Sequence, residues 1–519
     1  MGAMQHFIGI DIGTSSVKSL IINENGDIVS QASEGLIFNT PQPNWAEQDP
    51  HSWWQGVSKT VVQAMKIGKI SAGSIAGISL SGQMHSLVLL DKNYKILRPS
   101  ILWCDARTTD QCQWINKKVG EENLVEWVSN PALEGFTAPK LIWVRENEPQ
   151  VYEQIRHVLL PKDYIRFLMT NEFAMDVSDA SGTLLFDVRN RQWSDPLLNA
   201  IELPNQIMPP TFESVDICGY LTSKVAKDWG LKPGIPVAGG GADNTCGAIG
   251  SGIIRPGRIL SSIGTSGVIF AHTNNIRVDP KLRVHTFCHS VPNKWYLMGV
   301  SLFAGGAFQW LRNTFGHVEI SAAKMLGADP YQIMTSQAER ADIGSDGLVF
   351  LPYLMGERTP HKDANARGGF VGLTARHERS HMIRSVMEGV TFALNDSIEI
   401  MRQLGVSIDQ VRSIGGGARS FLWRQMQADI YGAEVVTVNA DEGPAFGAAI
   451  LAAVGTGCYG SVEEATDQLV TITSTTEPNA QAEKKYRGYY EIFKSLYPAL
   501  KPSFDAITAQ ISTDQKDKR

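Results

Sequence analysis

Gly9-Ile10-Asp11-Ile12-Gly13-Thr14-Ser15-Ser16 decides how this chain is read, because it is written again as Ser261-Ser262-Ile263-Gly264-Thr265-Ser266-Gly267. Each copy sets Ile-Gly-Thr-Ser between apolar runs, a pattern that predicts strand, tight polar turn and strand. Glycine lets the backbone approach an anion closely, and hydroxyls with backbone N–H groups supply donors. One such loop in each half of the chain predicts two similar domains gripping one polyphosphate from opposite sides. The copies differ where the first carries Asp11 and the second has Ser262. A carboxylate beside a phosphate cradle repels it unless a cation intervenes, so Asp11 reads as a ligand of Mg2+ or of a metal-bound water. A plain polar hairpin turn is the alternative, and the echo of the loop weighs against it.

Working outward, residues 17–22 continue as a strand, Asn25-Gly26 is a two-residue hairpin signal, and Asp49-Pro50 reads as the cap and first position of a helix. Its apolar face is expected to be Trp54, Val57, Val61 and Met65. A strand at 75–80 ends in Ser81-Gly82-Gln83-Met84-His85. Around the second loop, 258–262 and 268–270 are strands and 380–404 is a long helix stopped by Gly405. A strand at 411–414 runs into Gly415-Gly416-Gly417-Ala418-Arg419-Ser420, then a helix, a strand at 434–438, and Asp441-Glu442-Gly443-Pro444 before an Ala/Gly-rich helix at 445–454. Strands alternating with helices predict an α/β architecture with mixed sheets. The polar end, 514–519, is expected to fray.

The 519 residues allow two or more domains with real cores, and 43% hydrophobic with 19% charged residues is a globular composition. A net charge of −6 gives no basic footprint and disfavours nucleic-acid partners. No apolar run is long enough to span a membrane, and no secretory signal is visible. Met1-Gly2-Ala3 reads as a cloning scar ahead of Met4. The six cysteines are scattered without a CxxC pair, which implies neither a zinc site nor a disulfide framework and points to the cytoplasm.

Gly239-Gly240-Gly241-Ala242-Asp243-Asn244-Thr245 follows an apolar run and places a carboxylate at a strand's end. Asp243 is a candidate base or orienter for a hydroxyl nucleophile, or simply a helix cap. Gly415 to Ser420 has the context for close approach of a nucleotide, but it is neither a dinucleotide fingerprint nor a Walker loop, and a tight turn is the competing reading. His85 past a strand end could bond a substrate hydroxyl or be structural, and Trp103, Asp105 and Arg107 carry the same ambiguity.

Taken together these residues resemble the FGGY carbohydrate kinases of the actin-like ATPase superfamily. The resemblance runs from about Phe7 to Val454 and includes two family signatures. Gly135-Phe-Thr-Ala-Pro-Lys-Leu-Ile-Trp-Val-Arg-Glu-Asn147 fits one, and Gly368 to Glu388 fits the other. Gln83-Met84-His85 stands where glycerol kinases carry Gln-Arg-Glu, and Leu160 to Tyr164, Ser178 to Thr183 and Leu354 to His361 match the kinases of a ketopentose. The resemblance implies two ribonuclease-H-like domains with an interdomain catalytic cleft, at 4–253 and 254–505, and a polar tail at 506–519. It implies phosphorylation of D-xylulose at the C5 hydroxyl by ATP, with D-ribulose, L-xylulose or glycerol as alternative substrates and a sugar-independent ATPase switch as the rival class. Asp243 would take the hydroxyl proton and Asp11 would hold Mg2+. Met84, His85, Asn244, Trp103 and Asp105 would contact the sugar. Thr14, Ser15, Lys18, Gly264, Thr265, Gly305, Gln309, Gly416, Gly417 and Ser420 would serve the nucleotide. The expected partners are the sugar and ATP, with a homodimer as the assembly and hinged closure excluding water.

Overall fold

The computed structural model describes residues 4–439 and 443–516. The chain forms two compact units, one from 4–255, 272–296 and 443–471, the other from 256–271, 297–439 and 472–516.

In the first unit β1 (His6–Ile12), β2 (Ser16–Asn23), β3 (Ile28–Gly35), β4 (Ile75–Gly82), β5 (Ile217–Tyr220) and β6 (Pro236–Ala238) form a sheet in the order β5-β6-β4-β1-β2-β3. β1 and β2 are antiparallel across the Gly-Thr turn, and β1 runs parallel to β4. Helix α1 (Pro50–Gly68) starts as its sequence predicts, with the Asp49 carboxylate accepting the His51 N–H at 3.0 Å. Its buried ring, however, is Trp53 and not Trp54, because Trp53 turns inward to donate to the Gln48 side-chain oxygen at 2.7 Å. Trp54 is half-buried against Trp229. Ile8, Ile10 and Ile12 share one core with Trp53, Val57 and Val61, so alternation sends Gly9 and Asp11 to the opposite face of β1. Helices α2 (Thr137–Asn147) and α3 (Asp243–Gly250) complete the parts that matter for the site.

The second unit repeats the order. β7 (Gly257–Ile263), β8 (Gly267–Thr273), β9 (Trp295–Ser301), β10 (Ile408–Gly415), β11 (Glu434–Val438) and β12 (Ile472–Thr476) lie as β9-β8-β7-β10-β11-β12. β7–β8 is antiparallel across the second Gly-Thr turn, and β7–β10 and β10–β11 are parallel. Strand by strand this is β3-β2-β1-β4-β6-β5 again, so the duplicated loop marks a duplicated domain. Around it stand α4 (Gly305–Phe315), α5 (Pro330–Ala338), α6 (Arg379–Gln403) and α7 (Phe421–Tyr431).

By contacts the two units interleave along the chain instead of meeting at one residue. Helix α8 (Gly443–Gly455), expected in the second half, packs on β1, β4 and α3 of the first unit. Its small residues explain why. A Cβ on Gly9 would lie 1.9 Å from the Ala445 oxygen, and one on Gly447 would lie 1.9 Å from the Cys246 oxygen, so bare backbone meets bare backbone. Helix α9 (Ala480–Lys516) buries Tyr486, Tyr490, Phe493 and Tyr497 on one side and extends as far as the first residues of the segment expected to fray. Met1-Gly2-Ala3, Asp441-Glu442 and 517–519 lie outside the described residues. No helix among the described residues is long and apolar enough to cross a membrane.

Candidate active site

The carboxyl end of β4 gathers the site of the first unit. Ser81 registers with Asp11 of β1 on one side and with Gly241 on the other, so Asp11 and the start of α3 flank one strand end. Lys18 is the register partner of Asp11 on β2. Asp243 is the first residue of α3 and not its cap, a position that Ala242 holds. Its carboxylate accepts the Asn244 N–H at 2.7 Å. Burial, and then the charge of Asp11, push the Asp243 carboxyl up to about 7. An ordinary aspartate at ~3.9 would be a far weaker proton acceptor. Two carboxylates close enough to raise a pKa suit a hard divalent cation. Among the described residues no group of three or more His, Cys, Asp or Glu side chains could close around one, so a cation bound here would need oxygens from phosphate or water as well.

The first Gly-Thr loop is held from below. Gln48 donates to the Thr14 carbonyl at 3.1 Å, and Trp53 fixes the other end of that amide. Gln83 donates to the Gly13 carbonyl at 3.4 Å and accepts the Thr14 hydroxyl. Ser15 is exposed at the tip, its carbonyl bonded to the Leu36 N–H. Met84 is buried, and the Asn244 amide donates to its sulfur at 3.5 Å. His85 has a φ of 65°, its Nδ1 lies 2.5 Å from the Gly182 oxygen, and its ring meets Phe136 edge-on at 4.8 Å. With Nδ1–H donating to that carbonyl, Nε2 is the acceptor nitrogen of the ring.

Asp105 is a correction. It is buried, its oxygens are taken by the Ala46 N–H and by Arg107, and Arg107 lies over the Trp45 ring at 3.7 Å. Trp103, two residues before Asp105, is exposed.

Behind α3 lies a buried charge cluster that sequence reasoning gave no role. Lys162 bonds Asp163, Asp176 and Asp179 at 2.6, 2.7 and 3.0 Å. Burial works against its charge, but these three carboxylates more than offset it and raise its pKa. Asp176 accepts the Ser178 hydroxyl, whose oxygen in turn accepts the Ala242 N–H at 2.9 Å. The cluster thereby fixes the residue before Asp243.

The second unit carries a cleft of about 410 Å³ lined by Gly264, Thr265, Gly305, Gln309, Gly416, Gly417 and Ser420. All seven were expected from sequence. The Thr265 carbonyl accepts the Ala304 and Gly306 N–H groups at 2.9 and 3.0 Å, which fastens the second Gly-Thr loop to the start of α4. A Cβ on Gly305 would lie 2.4 Å from the Gly264 oxygen. Ser420 caps α7, accepting the Trp423 N–H at 3.3 Å. Sequence reasoning missed Phe308, Asp329 and Tyr331, which line the same cleft, the two rings stacking at 5.5 Å. Asp329-Pro330 is the signal that could have found them, being the same cap pair that Asp49-Pro50 showed.

The chain belongs to the FGGY family of carbohydrate kinases: the N-terminal domain of that family matches residues 6–250 and the C-terminal domain matches 259–456. It is 42% identical to the xylulose kinase of Bacillus subtilis over 96% of this chain and 98% of that one. It is 41% identical to the xylulose kinase of Escherichia coli over 96% of this chain and 99% of the other. Among solved structures, a "xyloylose kinase" from Brucella ovis superposes with a TM-score of 0.88 at 35% identity, covering 96% of this chain and all of the other. The fold is that of the actin-like ATPases.

Proposed function

We propose that this carbohydrate kinase transfers the γ-phosphoryl group of ATP to the C5 hydroxyl of D-xylulose, giving D-xylulose 5-phosphate and ADP. The observation that carries this reading is identity above 40% to two xylulose kinases over nearly the whole chain. The gathering of Met84, His85, Asp243 and Asn244 at one strand end supports it.

Asp243 orients the hydroxyl and receives its proton as the oxygen bonds to phosphorus and the bond from phosphorus to the ADP oxygen breaks. In a loose transition state the proton leaves late, and an acceptor near pKa 7 suits that timing. Mg2+, held by Asp11 through water, would neutralise charge on the phosphoryl group. Lys18 adds a second positive charge. His85 Nε2 accepts a hydrogen bond from a sugar hydroxyl, beside Met84 and Asn244. The cleft of the second unit takes the nucleotide, with Thr265, Gly416 and Gly417 at its phosphates and Tyr331 beside the base. Asp105 supports the wall of the pocket through Arg107.

The same reading places the enzyme in the cytoplasm, where its six unbridged cysteines stay reduced, and expects a homodimer. The test is ADP release with Mg-ATP against a panel of ketoses and polyols. D-Xylulose should stimulate it most. A different best sugar overturns the substrate, and release that ignores every sugar overturns the kinase reading.

A further inference from the structure

Lys140 of α2 is a fully buried ammonium whose hydrogen bonds go to backbone carbonyls. Its Nζ donates to the His85 oxygen at 3.0 Å and to the Gly135 oxygen at 2.7 Å. Among the described residues no carboxylate lies within ion-pairing distance of it. Burial lowers its pKa to about 7, against the attraction of Asp105. A buried cation without a paired anion is a poor stabilising device, and a long apolar side chain would fill the same space at less cost.

What the ammonium holds explains its place. His85 sits at φ 65°, a conformation that non-glycine residues seldom adopt. Its carbonyl accepts both the Lys140 ammonium and, at 3.1 Å, the Thr137 hydroxyl. Gly135 precedes Phe136, whose ring packs edge-on against His85. One cation therefore ties the segment that carries His85 to the segment that carries Phe136.

We propose that Lys140 is a positioning residue for the sugar, holding the His85 imidazole through the His85 and Gly135 carbonyls in the orientation that reads a sugar hydroxyl. This rests on the assignment of His85 to the sugar pocket. The test compares Lys140→Met, His85→Ala and the double variant with the parent, using the sugar that most stimulates ADP release. The sugar KM, the ATP KM and the melting temperature are measured. Lys140→Met should raise the sugar KM about tenfold, the effect of losing a charged hydrogen bond, with the ATP KM and melting temperature near those of the parent. It should add little in the His85→Ala background, since both act through one ring. An additive effect in the double variant, or an unchanged sugar KM in folded Lys140→Met, overturns the role of Lys140 alone. A His85→Ala variant with unchanged sugar kinetics overturns the pocket assignment and the proposal together. If Lys140→Met does not fold, Thr137→Val removes the other donor to the same carbonyl. It should raise the sugar KM about threefold at an unchanged ATP KM, and no change overturns the proposal.

Discussion

The indole N–H of Trp103 donates to the hydroxyl of Thr14 at 2.8 Å, so a ring expected to touch the sugar ends on the Gly-Thr loop. Trp103 is 44% exposed, while the Thr14 hydroxyl passes its own proton to the Gln83 side-chain oxygen at 3.3 Å. The chain Trp103–Thr14–Gln83 joins the loop to the strand end that bears Met84 and His85. A sugar that touches Trp103 therefore touches the loop's support.

Trp103→Phe keeps the ring and removes that donor. It should lower kcat/KM for the sugar by about threefold to tenfold, the range of one net hydrogen bond. Steady-state kinetics check this, and an unchanged kcat/KM would show that Trp103 does not couple to the loop.

Asp243→Asn should lose at least about a hundredfold in sugar-dependent ADP release, as expected when a general base is removed, while ATP binding by calorimetry persists. The same variant tests the raised carboxyl. A group at about 7 in the folded chain and ~3.9 unfolded costs nothing below pH 4, and costs progressively more as pH rises toward 7. Without nucleotide and Mg2+, the variant should therefore melt higher than the parent at pH 8 and nearly level with it at pH 4.5. A difference that grows toward acid pH would contradict the sign.

Tyr331→Ala removes a ring that lines the cleft of the second unit and stacks on Phe308. The ATP KM should rise about threefold to tenfold, in keeping with the worth of one aromatic contact, and the sugar KM should stay put. A rise confined to the sugar would place the nucleotide elsewhere.

Gly9→Val forces a side chain to where a Cβ alone would lie 1.9 Å from the Ala445 oxygen. Overpacking of this kind should lower the melting temperature by about 5 °C or more. A melting temperature equal to that of the parent would mean that α8 does not seat on β1.

The parts legible in the sequence are those whose chemistry is local. The Asp49-Pro50 cap and both Gly-Thr loops depend on neighbours a few residues away, and the structure places each as read, whereas Asn25-Gly26 ends a longer turn in which the Gly26 N–H bonds the Asn23 carbonyl at 3.0 Å. Gly264, Thr265, Gly416, Gly417 and Ser420 of the second unit's cleft stand in glycine loops that the sequence displays, whereas Gly305 and Gln309 on α4 came from the family resemblance alone. What failed depended on partners that no motif or period announces. Trp53 outranks Trp54 because Gln48 offers an acceptor that periodicity does not see. Asp105 is enclosed in part by the Ala46 N–H, 59 residues away. Lys162 finds its partners Asp176 and Asp179 only through the fold. The pKa of Asp243 is equally invisible, since it arises from burial and from Asp11.

The seat of α8 has a consequence for how the chain is made. The helix that covers Gly9 is encoded at Gly443–Gly455, so a ribosome has released nearly the whole of the second unit's sheet before the first unit can close its own. Vectorial, domain-by-domain maturation is thus not open to this protein, and β1 waits with a bare backbone face until late in synthesis. A fragment ending at Arg255 would lack that cover for good, which makes the amino-terminal half a poor candidate for expression by itself.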